Sequence, residues 1–274
     1  MTLSTADGPN ETNGINGINA RSRRDEIARL VADDGRVAVA DLTDRFHVTD
    51  ASIRRDLMIL EDAGRLRRIH GGAIAQPDAR ARGAYATKQR ERREQKARIG
   101  AAAGALLGAG DVAFFDSGTT VAQVAAHVPL PLRRAGALTV VTHSLPVIDE
   151  IGDWESPHLM CLGGLYLPDY QALVGPQTIA AVRELSADIV FLGCDGLSIE
   201  AGLTTPHMLV AEVGAALASR GRKIVAVADS SKLGRQGFTP IVPLHVIQVL
   251  ITDDGADPLE VERFRRLGIE VILA

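Results

Sequence analysis

A chain of 274 residues has room for about two domains at roughly 100–200 residues each. Hydrophobic residues make up 46% and charged residues 23%, ordinary values for a globular protein, which excludes wholesale disorder and a fibrous repeat. The net charge of -4 hides an asymmetry: residues 21–98 hold 19 Lys and Arg against 13 Asp and Glu, whereas residues 99–274 hold 11 against 19.

A basic N-terminal third on an acidic body points to a polyanion met by the first part alone; a solvated helical surface is the plain alternative. Of the 30 basic residues 26 are arginine, a bias that genomic base composition would also produce. No apolar run approaches the roughly 20 residues of a membrane helix. Residues 1–20 have neither a basic side chain nor an apolar core segment, so no signal peptide is expected. Cys161 and Cys194 lie in apolar, strand-like stretches with no secretory context to pair them, which favours a reducing cytoplasm.

Residues 1–20 are rich in Asn, Gly and Thr and are expected to form a disordered tail. Three helices should follow. Ser22 is a candidate N-cap with Asp25 three residues on, and Ile27, Leu30 and Val31 share one face. Val39, Leu42 and Phe46 mark a second, short helix. Thr49 is the candidate N-cap of a third, with Asp50 in its first turn. In that helix Ile53, Leu57 and Leu60 face a core and leave Ala51, Ser52, Arg54, Arg55 and Met58 outside; Gly64 ends it. Residues 66–73 alternate apolar and basic side chains around Gly71-Gly72 and read as a β-wing.

Residues 76–95 are polar and arginine-rich, a linker expected to be helical in its second half. From residue 96 onward short apolar strands, at 112–115, 138–141, 159–162, 189–192, 224–228, 246–251 and 269–273, alternate with helical stretches. Continuously apolar strands suit burial on both faces, so residues 96–274 read as an α/β domain with a largely parallel sheet.

A short helix, a turn at Phe46-His47-Val48 and a capped helix with outward arginines make a helix-turn-helix, whose second helix enters the major groove. Arginine forks read guanine edges or clamp phosphates. Arg67, Arg68 and His70 of the wing suit backbone contact. Arg55-Asp56 has a second reading, as a pair that holds helix and wing together.

The stretch Val48-Thr49-Asp50-Ala51-Ser52-Ile53-Arg54-Arg55-Asp56-Leu57, then Leu60-Glu61, Gly64 and Arg68-Ile69-His70-Gly71-Gly72-Ala73, closely resembles the DeoR family of bacterial regulators. That family's pattern is V-S-x-x-T-I-R-R-D-L, then L-E-x-x-G and R-x-H-G-G-A; this chain has Thr49 for Ser and Ser52 for Thr. The resemblance runs from about residue 21 to the C-terminus. It implies a winged helix-turn-helix over residues 21–75, with the helix-turn-helix at 37–56. It also implies DNA contacts from Thr49, Ala51, Ser52, Arg54, Arg55, Arg67, Arg68 and His70.

In open α/β sheets ligands bind at the C-terminal strand ends. Asp116-Ser117-Gly118-Thr119-Thr120 follows the strand at 112–115 and opens a helix, a combination of amides, hydroxyls and dipole end that suits a phosphate. An ordinary helix cap is the alternative. No Walker A or G-x-G-x-x-G pattern occurs, so no nucleotide cofactor is expected. Asp229-Ser230-Ser231-Lys232, Gly193-Cys194-Asp195-Gly196, Thr142-His143-Ser144 and Thr252-Asp253 end further strands, and Lys232 offers charge while Asp195 offers an acceptor to sugar hydroxyls.

These segments, with Gly163-Gly164, Gly175 and Gly202-Leu203-Thr204, resemble the DeoR sensor domain, similar in fold to ribose-5-phosphate isomerase. The family usually senses phosphorylated sugars or related catabolites. The resemblance places the effector on Asp116, Ser117, Gly118, Thr119, Thr120, Thr142, Asp195 and Lys232. His143 stands where asparagine is common, and Cys194 where a small residue such as alanine is common.

No histidine pair has helical zinc spacing and neither cysteine belongs to a C-x-x-C, so no metal site is expected. Cys194 reads as a small buried residue, Trp154 as loop packing or an interface anchor, and residues 90–93 as a solvated helix face. The leading function is a repressor of a carbohydrate-catabolic operon that binds a double-stranded operator and a sugar phosphate. A sugar-phosphate isomerase or deaminase with an accessory DNA-binding domain is the alternative. A homo-oligomer is expected, with the apolar helix at residues 99–107 helping to form its interface.

Overall fold

Ile27, Ala28 and Val31 recur at helical spacing and are buried, and the segment that carries them forms α1 (Ala20–Asp34). The computed structural model describes residues 20–75, 77–134 and 136–274, with side chains in the linker from residue 83. Residues 1–19 of the tail expected at 1–20, with Gln76 and Ala135, lie outside the described residues, and Ala20 already belongs to α1. The chain divides into two compact units that meet between Arg80 and Ala81.

In the first unit α1 is followed by β1 (Arg36–Ala38), α2 (Val39–Phe46), α3 (Asp50–Asp62), β2 (Arg67–Ile69) and β3 (Gly72–Ile74). Ser22 lies inside α1 and not at its cap, because the helix starts upstream of it. Thr49 does cap α3, its hydroxyl accepting from the Ser52 amide at 3.3 Å. Gly64, at φ 66°, closes α3: its amide and that of Arg65 donate back to Glu61 and Leu60 carbonyls, each at 2.8 Å. Ile27, Leu42, Ile53, Leu57, Leu60 and Leu66 form one buried core. The wing hairpin β2–β3 gains a third strand, β1, paired antiparallel with β3.

The linker is helical on both sides of a break. It forms α4 (Pro77–Arg90) and α5 (Arg93–Gly104), and between them Arg92 takes a left-handed conformation at φ 49°. Beyond them come β4 (Val112–Phe115), α6 (Thr119–Ala126), α7 (Leu130–Arg134), β5 (Thr139–Thr142), α8 (Leu145–Gly152) and β6 (His158–Cys161). A small hairpin, β7 (Leu165–Leu167) with β8 (Ala172–Val174), leads to α9 (Pro176–Arg183) and β9 (Ala187–Leu192). The rest comprises β10 (Gly196–Ser198), β11 (Gly202–Thr205), α10 (Met208–Ser219), β12 (Gly221–Val227) and β13 (Thr239–Val242). The chain closes with β14 (Val249–Thr252), α11 (Pro258–Arg266) and β15 (Glu270–Leu273).

Seven strands form one sheet in the order β15-β14-β12-β9-β4-β5-β6, and every pairing in it is parallel. They are the seven strands expected from the apolar runs. Boundaries shift most at three of them: Leu244–Val246 is a 3-10 turn and that strand starts at Val249, whereas β9 starts earlier than expected at Ala187 and β12 at Gly221. Side chains alternate across the sheet. Phe114, Val190, Ala226 and Leu250 pack against α9, α10 and α11, whereas Phe115, Phe191, Val225 and Ile251 pack against α5, α6 and α8. Burial on both faces is why these strands read as continuous apolar runs.

Helix α5 spends its apolar residues on this core. Ile99, Ala103 and Leu107 are buried, which removes them from the oligomer interface expected there. Gly100 and Gly104 let α5 approach α6 closely: a Cβ on either would overlap the carbonyl oxygen of Gln123 or His127. Gly100→Ala should therefore destabilise the protein by roughly 1–3 kcal/mol in urea unfolding, although alanine is the better helix former.

Candidate functional site

In the first unit the exposed face of α3 presents Ala51, Arg54 and Arg55, with Ser52 half-buried beside them. Arg54 approaches Asp50 only to 3.9 Å, so its guanidinium is largely free. Arg67 and His70 are exposed on the wing, and a groove between α3 and the wing is lined by Arg54, Arg68 and His70.

Two expected contact residues also hold the unit together. The Thr49 hydroxyl is committed to the cap and lies 3.0 Å from that of Ser52. Arg68 Nε donates to Glu61 Oε2 at 2.5 Å and its amide to Oε1 at 2.8 Å, which fixes the wing on α3. The Arg55-Asp56 pair does not form. Asp56 is buried and takes Arg23 Nε of α1 at 2.7 Å, so it orients α3 against α1 and leaves Arg55 facing solvent.

In the second unit the chain order places β4 and β9 side by side, with β5 and β6 leading one way and β12, β14 and β15 the other. This is the point where strand order reverses, and the segments after β4 and β9 flank a cavity there. Asp116, Ser117, Gly118, Thr119, Asp195 and Lys232 all line it, as expected. Thr120 and Thr142 do not. Thr142 is fully buried, its hydroxyl donating to the Phe115 carbonyl at 2.7 Å and accepting from the Ser144 amide at 3.1 Å.

Gly118, at φ 119°, precedes α6, and no side chain caps the first-turn amides of that helix. Asp116 is tied to the scaffold: His143 Nε2 lies 3.0 Å from Oδ1, and the Gly193 amide donates to Oδ2 at 3.3 Å. The other His143 nitrogen lies 2.8 Å from the Leu173 carbonyl oxygen. His143 thereby ties Asp116 to the backbone of β8.

Asp195 accepts from Lys88 Nζ at 2.7 Å, Thr205 Oγ1 at 2.9 Å and the Tyr170 hydroxyl at 3.1 Å. Burial pushes its carboxyl up, but these partners outweigh burial and hold it below the ordinary range. Lys232 has no side-chain hydrogen bond or ion pair among the described residues. Lys96 is buried; its ammonium donates to the Glu91 carbonyl at 2.8 Å and to that of Lys88, closing the end of α4. Burial lowers the pKa of Lys96, and the charges of Lys232 and Lys88 lower it further against those of Asp229 and Glu91. Burial raises the pKa of the Cys194 thiol; the residue is not fully buried as expected but half-buried in the cavity wall.

Sequence reasoning missed Tyr85, Lys88, Glu91 and Lys96 of the linker, and Asp169, Tyr170 and Thr205, all of which line the cavity. It also missed Arg92, read as solvated. The Arg92 guanidinium donates to Ser230 Oγ at 2.8 Å and lies 3.7 Å from Asp229 and 3.8 Å from Asp253. Trp154 packs in the core with Arg133 over its ring. Among the described residues no cluster of His, Cys, Asp and Glu could hold a metal, and no helix is long and apolar enough to cross a membrane.

A helix-turn-helix with a basic exposed helix, joined to an α/β domain with a strand-end cavity, defines a DNA-binding regulator with a sensor domain. The family models agree: residues 23–77 match the DeoR-like helix-turn-helix domain and residues 91–254 the DeoR C terminal sensor domain. The chain belongs to the DeoR family of transcriptional regulators. It is 35% identical over 250 residues to the HTH-type transcriptional regulator GlpR of Haloferax volcanii, covering 91% of this chain and 96% of that one. It is 29% identical to the HTH-type transcriptional repressor GlcR of Bacillus subtilis, covering 90% and 93%. Among solved structures, ribose 5-phosphate isomerase A of Methanocaldococcus jannaschii matches 52% of this chain and 54% of its own at 18% identity, with a TM-score of 0.38.

Removing one partner of a buried ion pair leaves a charge uncompensated, at a cost of about 3–5 kcal/mol. Asp56→Ala should unfold the winged helix first, seen as a partial loss of far-UV helical signal and of DNA binding at temperatures where Arg55→Ala stays folded.

Proposed function

We propose that the protein is a repressor of a carbohydrate-catabolic operon whose grip on DNA is set by a sugar phosphate. The observation that carries this reading is one cavity at the strand-order reversal, combining uncapped amides of α6, the Ser117 and Thr119 hydroxyls and the unpaired Lys232. Amides and a dipole end hold a phosphate, and a lysine balances its charge. Asp195 receives the hydroxyls of the sugar. Asp116, held by His143 and Gly193, shapes the loop.

On DNA, Arg54 and Arg55 read or clamp the major groove with Ala51 and Ser52 beside them, while Thr49 and Arg68 align α3 and the wing, and Arg67 and His70 meet phosphates. The protein acts in the cytoplasm as a homo-oligomer that matches repeated half-sites. The isomerase reading is weaker: Asp195 already accepts three hydrogen bonds, which leaves it a poor general base.

Arg54→Ala should weaken binding to a site selected by the wild-type protein from random duplexes by about 1–3 kcal/mol and relax its specificity. Equal gel-shift affinity at fixed salt would remove Arg54 from the interface. Lys232→Ala should bind that site normally yet ignore every sugar phosphate that acts on the wild type. Loss of DNA binding by the folded variant, or a full response, would contradict the role given to Lys232.

A further inference from the structure

The chain contains only four lysines among its 30 basic residues, and three of them, Lys88, Lys96 and Lys232, line the switch-point cavity. Two of the three belong to the linker helices. An ammonium is a compact point charge that fits where a guanidinium fork does not, so this placement is selective in an arginine-biased chain. Tyr85, one turn before Lys88 on α4, also lines the cavity. It is 7% exposed, and its hydroxyl has no hydrogen-bond partner among the described residues. A buried, unpartnered hydroxyl in a cavity wall calls for a ligand or water to complete it.

Asp195 is occupied by three donors, so a ligand hydroxyl reaches it only by replacing one of them. Thr205 is buried and Tyr170 half-buried, so displacing either leaves a hydroxyl to be paired again. The Lys88 side chain is 43% exposed, and its ammonium can turn onto an anion or into solvent. Lys88 is the donor that yields. Behind it, Arg92 is held by Ser230, Asp229 and Asp253 in a left-handed backbone, a fixed point about which α4 can pivot.

We infer that α4 is itself a wall of the effector site: a phosphorylated polyol pairs with the Tyr85 hydroxyl and draws Lys88 off Asp195 onto its phosphate. A ligand hydroxyl then takes the place of Lys88 on the carboxylate. The inference rests on the effector reading above and deepens it, because α4 is also the segment that follows the wing strand β3 in the chain. Ligand occupancy and the position of that helix become one event. The ligand shifts the DNA-binding equilibrium only by its differing affinity for the two positions of α4.

The test titrates the full-length protein calorimetrically with ribose 5-phosphate, glucose 6-phosphate, fructose 1-phosphate and inorganic phosphate. Wild type is compared with Tyr85→Phe, Lys88→Met and Lys232→Ala. Tyr85→Phe should keep the wild-type melting temperature, since its hydroxyl has no partner to lose, yet bind the tightest sugar phosphate at least ten-fold more weakly. Lys88→Met, with no ligand added, should shift affinity for the selected DNA site in the direction that sugar phosphate shifts the wild type. Unchanged binding and response in both variants, with binding lost in Lys232→Ala, overturns this inference and leaves the effector reading standing. If no sugar phosphate binds the wild type, the effector reading fails and the inference with it.

Discussion

Strands β4 and β9 lie next to each other, and the segments that leave them run to opposite sides of the sheet. No connection can cover the space above their C-terminal ends, and the Ser117-Gly118-Thr119 loop and the Cys194-Asp195 loop face each other across it. The α6 amides enter the cavity because β4 ends at Phe115, and Asp195 enters because β9 ends at Leu192. The rigid part of the site is thus a consequence of strand order, held by a sheet buried on both faces.

What covers this rigid part is the linker, and its attachment differs in kind. The sheet is held by packing on both faces; the described side chains of α4 hold it through the buried Tyr85, Lys88 on Asp195 and the Lys96 ammonium on its terminal carbonyls. Packing resists small displacements, whereas a half-exposed ion pair adds modest stability and exchanges partners readily. A regulator needs that contrast: a fixed surface to define the ligand and a light contact for the ligand to displace. The left-handed Arg92, with its guanidinium among Ser230, Asp229 and Asp253, marks where the two regimes meet.

The sheet was legible because its strands are continuous apolar runs, and α3 because Thr49, the Ile53-Leu57-Leu60 spacing and Gly64 agree. The strands β1, β10, β11 and β13 were not, since they mix apolar residues with polar residues, Gly or Pro, and β7 and β8 were not because three residues carry no readable period. The same division holds at the site. Ser117, Gly118 and Lys232 sit just past apolar strands, where fold logic looks for a ligand. Tyr85, Lys88 and Arg92 sit in a segment whose composition reads as solvated surface; Lys88 reaches a partner 107 residues away, which no local pattern encodes. Arg68 and Asp56 show the limit for the DNA-binding unit: a charge on a recognition element serves the scaffold when a partner lies within reach. The usable clue for the linker was rarity, one aromatic in a polar stretch and lysines kept in a chain that otherwise prefers arginine.

The central claim is that ligand binding at the strand-order reversal and the position of α4 are one event. Amide hydrogen exchange of the full-length protein, with and without a sugar phosphate that binds it, tests this most directly. The account predicts slower exchange at residues 117–121 and 193–196, with a simultaneous change across residues 84–92. Protection of the two loops with α4 exchanging as before, or protection confined to another part of the chain, would contradict it.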